Sequence, residues 1–432
     1  MQLPDLNPDT IADLATRQIV IPLLNIIEAQ AADITALRAE NQQLRDEVAR
    51  LKGGSGKPDV PFNVSQPALW RFLRDVGVQI GTETVARMLL DPDGVWAGEA
   101  AAVHQTGLAT GSWVATDQTS TRVDRQNEVG HVVGNAWFTS YHTRPGGTRQ
   151  DVLAVLWGQE VCYRLNDEEL AWLQAGCMPQ ALLRRVCTVL PHDTDMTAAE
   201  FLQHLTTVGI ALNRQQQQVE DAPAVAAYHA QTQVPVLGGL LRGDASVSDR
   251  LTATHALCDV HDRRYYAKLS PRVPHHQAEL TAFGTRSWAF YCDLLASQRA
   301  PAAAEQVRLE EAFDALVDDT TGYVAWDDQI SRTTNKCVQW LAVLDDSDIP
   351  LYHNTMELAA RRRMRKRDAS FGPQSRNRAR AWDSLPTLAV TAAKLGVGFF
   401  HSLRDRMVTS ATTPPLAERV AQRAGVAVPS AT

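Results

Sequence analysis

The sequence predicts a mixed α/β protein whose second half is largely helical and whose start is a long heptad-patterned helix. Three observations carry that prediction. Short apolar or alternating runs bounded by turn residues fall at Trp113–Thr116, Val129–Val133, Trp137–Tyr141, Val234–Leu241 and Ala256–Val260, the pattern of strands. Long stretches with apolar residues three and four apart fill His275–Gln298, Ala302–Val317 and Trp326–Leu344, the pattern of amphipathic helices. Between Ile27 and Lys52 the apolar residues recur with a seven-residue period.

The 432 residues suggest two or three domains, and 44% hydrophobic with 21% charged residues is enough apolar material for a sizeable core, which excludes disorder for most of the length. No apolar run approaches the ~20 residues of a membrane span, and no basic-then-apolar leader with a small-residue cleavage site is present. The expectation is a cytoplasmic protein with no membrane partner. Six widely spaced cysteines without a Cys-x-x-Cys pair point to buried reduced thiols rather than a disulfide framework or a four-cysteine zinc site. A net charge of −7 argues at first against nucleic acid. Between Arg361 and Arg380, however, stand nine basic residues and the single acid Asp368, so a local patch of +8 sits on a remainder of −15. A concentrated basic patch on an acidic chain is the footprint of a localised phosphate contact.

Residues 1–52 form the first segment. With Ile27, Ile34, Asn41 and Val48 at position a, Leu37, Leu44 and Leu51 fall at d, and Gln30 is the one defect. β-Branched residues at a with Leu at d favour a parallel dimer, and one Asn at a fixes the register. The g-to-e pairs Asp33–Arg38, Glu40–Arg45 and Glu47–Lys52 attract only in a parallel pair. A homodimer through Ile34, Leu37, Asn41, Leu44, Val48 and Leu51 is expected, the alternative being a lone amphipathic helix packed on the body. Gly53-Gly54-Ser55-Gly56-Lys57-Pro58 opens a flexible linker over 53–65. Helical patterns at Gln66–Asp75 and Gly81–Leu90 fill 66–110, and a helix-turn-helix and a plain helical hairpin both remain open there.

A core runs over 111–270. It holds the strands, with Gly134-Asn135 as a hairpin turn, helices at Asp151–Trp157, Asp167–Leu173 and Ala181–Leu190, and a low-complexity helical stretch from Gln215. Val234–Leu241 reads as a buried strand ending at Arg242-Gly243-Asp244, and a basic helix starts at Asp262. A helical insertion over 271–345 presents Leu280, Phe283, Trp288, Tyr291 and Leu295 as a core face. The core resumes over 346–410 with a helix from near Asn354, carrying Glu357 and the arginine run, and a last helical pattern at Leu385–Arg404. The tail from 411 is expected to be loose.

No Gly-x-Ser-x-Gly elbow, phosphate-binding Gly-rich loop or His-Glu-x-x-His occurs. Three acids stand out instead: Asp117 and Asp244 after strands, and Glu357 on a late helix just ahead of the basic run. Carboxylates at the ends of neighbouring strands converge at one sheet edge, and three of them suit hard cations such as Mg²⁺. Two such ions ~4 Å apart activate a water or hydroxyl and stabilise the leaving oxygen of a phosphodiester.

Asp117-Gln118-Thr119-Ser120-Thr121-Arg122-Val123 resembles the first catalytic motif of the insertion-sequence sixty-six family of bacterial DDE transposases. Leu257-Cys258-Asp259-Val260-His261-Asp262-Arg263-Arg264-Tyr265-Tyr266 is similar to the family's Cys-x-x-His segment after the second acid. The stretch Pro350-Leu351-Tyr352-His353-Asn354-Thr355-Met356-Glu357-Leu358, with Arg367-Asp368-Ala369-Ser370-Phe371-Gly372, resembles the third motif. The resemblance runs in order from about Gln66 to Arg406.

It implies an RNase H-like mixed sheet flanked by helices, with the helical insertion before the last catalytic acid. It further implies an active site of Asp117, Asp244 and Glu357 holding two Mg²⁺ (or Mn²⁺) ions, with His261 and Asn354 close by, and DNA strand cleavage and transfer at the ends of a mobile element. Family members often carry two adjacent acids where this chain has Gly243-Asp244, so the second ligand is either Asp244 or a lost neighbour. Arg361, Arg365, Arg367, Arg263 and Arg264 are the expected contacts to double-stranded DNA, and accessory proteins encoded by the element stay open as partners. The competing reading is a decayed or repurposed relative that binds DNA as a dimer without cutting it.

Overall fold

Two units divide the chain: Met1–Val60 with Ala256–Tyr352, and Pro61–His255 with His353–Thr432. The computed structural model describes residues 8–51, 66–90, 94–175, 178–207, 209–210, 217–243, 246–318, 321–370, 372–407 and 413–426. Within the first helix, the side chains of 34–39 and 41–51 lie outside that description. So, therefore, do the dimer contacts expected of Ile34, Leu37, Asn41, Leu44, Val48 and Leu51, together with the 53–65 linker and Asp244.

The sheet comprises β1 (Trp113–Val123), β2 (Gln126–Gly134), β3 (Thr139–Arg144), β4 (Gly239–Arg242) and β5 (Thr254–Leu257), in the order β3-β2-β1-β4-β5. β1 and β2 pair antiparallel from Ala115↔Gly134 to Val123↔Gln126, β2 and β3 antiparallel from Val129↔Arg144 to Gly134↔Thr139, and β1 and β4 parallel from Trp113↔Gly239 to Ala115↔Leu241. The expected first strand stops at Thr116, whereas β1 continues to Val123, so Asp117 lies within a strand and not after one. Two features extend it. Thr119, Thr121 and Val123 continue the β-branched alternation, and Asp124-Arg125, both at positive φ (47° and 68°), supply the two-residue turn that matches strand twist. The fourth strand starts at Gly239 rather than Val234. Pro235 has no N–H to give a ladder, and pairing begins where Gly239 N donates to Ser112 O at 2.7 Å.

The free edge of β3 is closed by side chains. Thr139 N, Tyr141 N and Thr143 N donate to Thr391 Oγ1 (3.2 Å), Thr387 Oγ1 (3.0 Å) and Asp383 Oδ2 (2.9 Å), all on the helix Arg376–Lys394. Four helical residues advance ~6 Å and two strand residues ~6.7 Å, so an i, i+4, i+8 row of acceptors tracks alternate strand amides. An exposed edge is thereby satisfied without another strand. The core of this unit gathers Val103, Leu108, Val114, Leu153, Leu156, Tyr228 and Leu240.

Several helices differ from expectation. The Leu385–Arg404 pattern is two helices, Arg376–Lys394 and Phe399–Met407, parted at Gly396 (φ 70°). The expected loose tail contains a helix, Leu416–Ala424, with Leu416, Ala417, Val420 and Ala421 buried and Gly425 as its left-handed C-cap. Ala198–Thr207 forms an unexpected helix behind a capping box, Thr197 N donating to Glu200 Oε2 at 2.8 Å and Glu200 N to Thr197 Oγ1 at 3.4 Å.

In the other unit, Pro274–Arg299, Ala303–Val317 and Val324–Thr334 close a core of Phe283, Phe313, Trp326 and Ile330. The third expected helix is broken after Thr334 into the short Cys337–Trp340 and Ala342–Asp345. Trp288, placed on the core face by the sequence, is 53% exposed, with the Arg263 guanidinium 4.4 Å from its ring centroid.

The N-terminal helix, Leu14–Leu51, starts well before the heptads and runs through Pro22. Its first half packs within the chain. Leu24 is buried, and the Asn25 side chain donates to Gly322 O (2.9 Å) and accepts from Val324 N (3.0 Å). The buried Glu28 carboxylate accepts from Arg272 N and Val273 N at 2.6–2.7 Å. Those amides stand at the entry to the helix Pro274–Arg299, where backbone N–H groups lack intrahelical partners. Glu28→Ala is therefore expected to lower stability by about 1–3 kcal/mol, read by urea unfolding of the full chain. Unchanged stability would mean that this helix is not docked.

None of the five described cysteines is in a disulfide, but Cys187 and Cys292 are exposed, against the expectation of buried thiols. Among the described residues no helix is long and apolar enough to cross a membrane.

Candidate active site

Directly paired residues of an antiparallel ladder point to the same sheet face. Asp117 pairs with Val132, between the Gly130↔Thr119 and Gly134↔Ala115 pairs, so Asp117 shares a face with both glycines. The helix Asn354–Ser370 covers that face. A Cβ on Gly134 would lie 3.1 Å from Met356 Cε, and one on Gly130 would lie 2.5 Å from Arg363 Nε. Farther along, Arg367 Nη1 donates to Ser120 O (2.6 Å) and Ser120 Oγ (2.7 Å). The helix therefore runs along β1 from the level of Ala115 to that of Ser120. Glu357, next to Met356, stands within about two strand residues of Asp117 along this axis.

The helix also fixes the side on which Glu357 emerges. Residues advance ~100° each. Met356, Ala359, Ala360 and Arg363 form the buried stripe. Arg362 and Lys366 lie on the flank toward Trp382, and Glu357 and Arg361 on the opposite flank, toward β1 and β4. Asp117 and Glu357 thus stand over the same sheet face, one on the strand and one on the helix.

Of the two carboxylates, Glu357 is paired with a guanidinium and Asp117 accepts from a backbone amide. Glu357 Oε1 accepts from Arg361 Nη2 at 2.6 Å, one turn on. Asp117 Oδ1 accepts from Gln118 N at 2.7 Å. Beside it the buried Arg242 has its pKa lowered to about 10 by desolvation, with the Asp117 charge opposing that shift. On the other sheet face Gln118 Nε2 meets His131 Nδ1 at 3.1 Å, and His131 Nε2 donates to Gly146 O at 2.9 Å, which leaves Nδ1 as the acceptor of the Gln118 amide. Burial lowers the pKa of His131 to about 4, so it is neutral at pH 7.

The arginine run sorts into different roles. Arg361 binds Glu357 and Arg367 binds Asp368 at 2.8 Å, while Arg365 is exposed. Arg363 is a structural anchor: 4% exposed, it donates to Asp383 Oδ1 at 2.7 Å and bonds Thr143 Oγ1. Asn354 opens the helix that carries Glu357. His261, Arg263 and Arg264 belong to the other unit, on the helix Asp259–Lys268, where His261 N donates to Cys258 O at 2.9 Å. Asp383 and Trp382 are missed by the sequence analysis, because a lone Asp and Trp on an amphipathic helix carry no local signal.

The donor chemistry of Asp117 and Glu357 fits a divalent cation, since both are carboxylates, hard oxygen ligands, and Glu357 keeps 15% of its side chain exposed. A bound Mg²⁺ would have to take the place of Arg361 at Glu357.

The chain is 29% identical over 336 residues to the uncharacterized protein y4jO of Sinorhizobium fredii, a similarity spanning 74% of this chain and 99% of that protein. No protein-family model matches the sequence. No solved structure matches it either.

Proposed function

We propose that this protein is a DDE-type DNA transposase with an RNase H-like core, in which Asp117, Glu357 and Asp244 hold two divalent cations. One observation carries the reading: Asp117 and the helix bearing Glu357, far apart in sequence and each inside a motif resembling those of one transposase family, share one face of a five-stranded mixed sheet. Asp117 sits on the central strand, and the Glu357 helix lies along it. When bound, the ions would supply an activated water or hydroxyl and stabilise the leaving oxygen of the phosphodiester. The chain's own part is to hold the carboxylates at fixed spacing. Arg367 ties the helix to β1, and Arg363 ties it toward β3.

Exposed Arg365 and the displaced Arg361 would then supply positive charge to the DNA backbone next to the metals. The experiment is incubation of the full chain with duplex DNA carrying the sequences that flank its gene, with Mg²⁺ or Mn²⁺. Metal-dependent nicks at a defined position support the reading. DNA binding without cleavage at any metal concentration favours the decayed relative.

A further inference from the structure

We propose that a pocket on the flank of the helix Asn354–Ser370 opposite Glu357 receives one unpaired nucleotide of a DNA strand, its base against Trp382, Pro386 and Phe399 and its phosphate on Arg362 and Lys366. The choice of DNA rests on the reading above; the pocket's chemistry stands on its own. The cavity is about 340 Å³ and is lined by Tyr141, Arg362, Arg363, Lys366, Trp382, Pro386 and Phe399, with a further aliphatic wall. That volume is at the small end of ligand sites and admits one base with its phosphate, not a duplex.

Two of its three cations, Arg362 and Lys366, are uncommitted. Arg361, Arg363 and Arg367 each hold a carboxylate, whereas among the described residues neither Arg362 nor Lys366 is in an ion pair. The Lys366 ammonium is held 4.5 Å from the Trp382 ring centroid, which fixes a positive charge against a flat aromatic face. Burial lowers its pKa to about 8, which still leaves it protonated at pH 7. An aliphatic anion would leave the ring wall unused, and a neutral aromatic would leave the cations unused. A base inside a duplex is stacked and cannot enter. An unpaired nucleotide matches all three: a π-face, an adjacent phosphate and freedom to leave the stack.

The test uses the full chain in EDTA, so that cleavage plays no part and its failure would not bear on the result. The probes are a fluorescein-labelled twenty-nucleotide thymidine strand, a duplex of equal length, and unlabelled thymidine monophosphate as competitor. Trp382→Ala is expected to weaken single-strand binding about tenfold or more, the scale of one lost stacking contact, and to leave duplex affinity within about twofold. Trp382→Phe should retain the single-strand affinity. Arg362→Gln, on the exposed rim, should reduce the salt slope for the single strand by about 0.7. Unchanged single-strand affinity in Trp382→Ala and Arg362→Gln, or equal losses on both DNAs, overturns the proposal. Displacement of the strand by the monophosphate supports a single-nucleotide pocket. Monophosphate binding with no strand binding overturns the assignment to DNA.

Discussion

Glu357→Ala is expected to cut DNA more than about a hundredfold more slowly than the wild type while binding it as tightly. Loss of a group that merely orients a metal ligand already costs about 10–100-fold, and a ligand itself costs at least that. Binding survives because the carboxylate touches metal and not phosphate. Its removal also releases Arg361, now paired at 2.6 Å, as one more cation for the backbone. Asp117→Ala should behave alike, since its carboxylate shares the sheet face with the Glu357 helix. Cleavage assays on purified, folded variants check this. Wild-type rates from Glu357→Ala would remove Glu357 from the site.

Arg363→Ala is expected to destabilise the protein by about 3 kcal/mol, the lower end of the cost of breaking a buried ion pair; Asp383 retains partial access to water. Arg363 is 4% exposed, and Asp383 also receives Thr143 N and Thr143 Oγ1, so the loss loosens the helix, the β3 edge and the neighbouring helix together. Burial already raises the Asp383 pKa, and Arg363 opposes that shift. Without the arginine the folded-state pKa rises further above its unfolded value. A raised carboxyl pKa means stability is retained below the unfolded value near 4 and lost as pH climbs from there toward the folded value. The deficit of Arg363→Ala should therefore be smaller near pH 4 than near pH 7, as urea unfolding at the two pH values would show. A pH-independent deficit would point to lost packing alone.

Much of the scaffold was legible because its signals are local. Strand alternation, the Gly134-Asn135 turn and the helix from Asn354 emerge close to where periodicity places them. Asp117 was located but misplaced within its strand, since an Asp resembles a strand terminator until β2 is known to pair on to Val123. The arginine run shows the opposite limit. Composition reveals a basic patch, but which arginine meets a phosphate and which anchors a helix depends on partners distant in sequence, Asp383 and Thr143, that only folding brings near. The Thr391–Thr387–Asp383 row is likewise ordinary helix sequence until β3 lies beside it. The Thr197-x-x-Glu200 box, by contrast, was readable and marks a helix the periodicity alone did not.

The central claim is that Asp117 and Glu357 hold the same divalent ions. Mn²⁺ binding to the full chain with duplex DNA bound, followed by electron paramagnetic resonance, tests it most directly. The account predicts that Asp117→Asn and Glu357→Gln each abolish tight Mn²⁺ binding, and that combining them costs no more than either alone, as expected for residues acting at one centre. Mn²⁺ held by both single variants as tightly as by the wild type would contradict it.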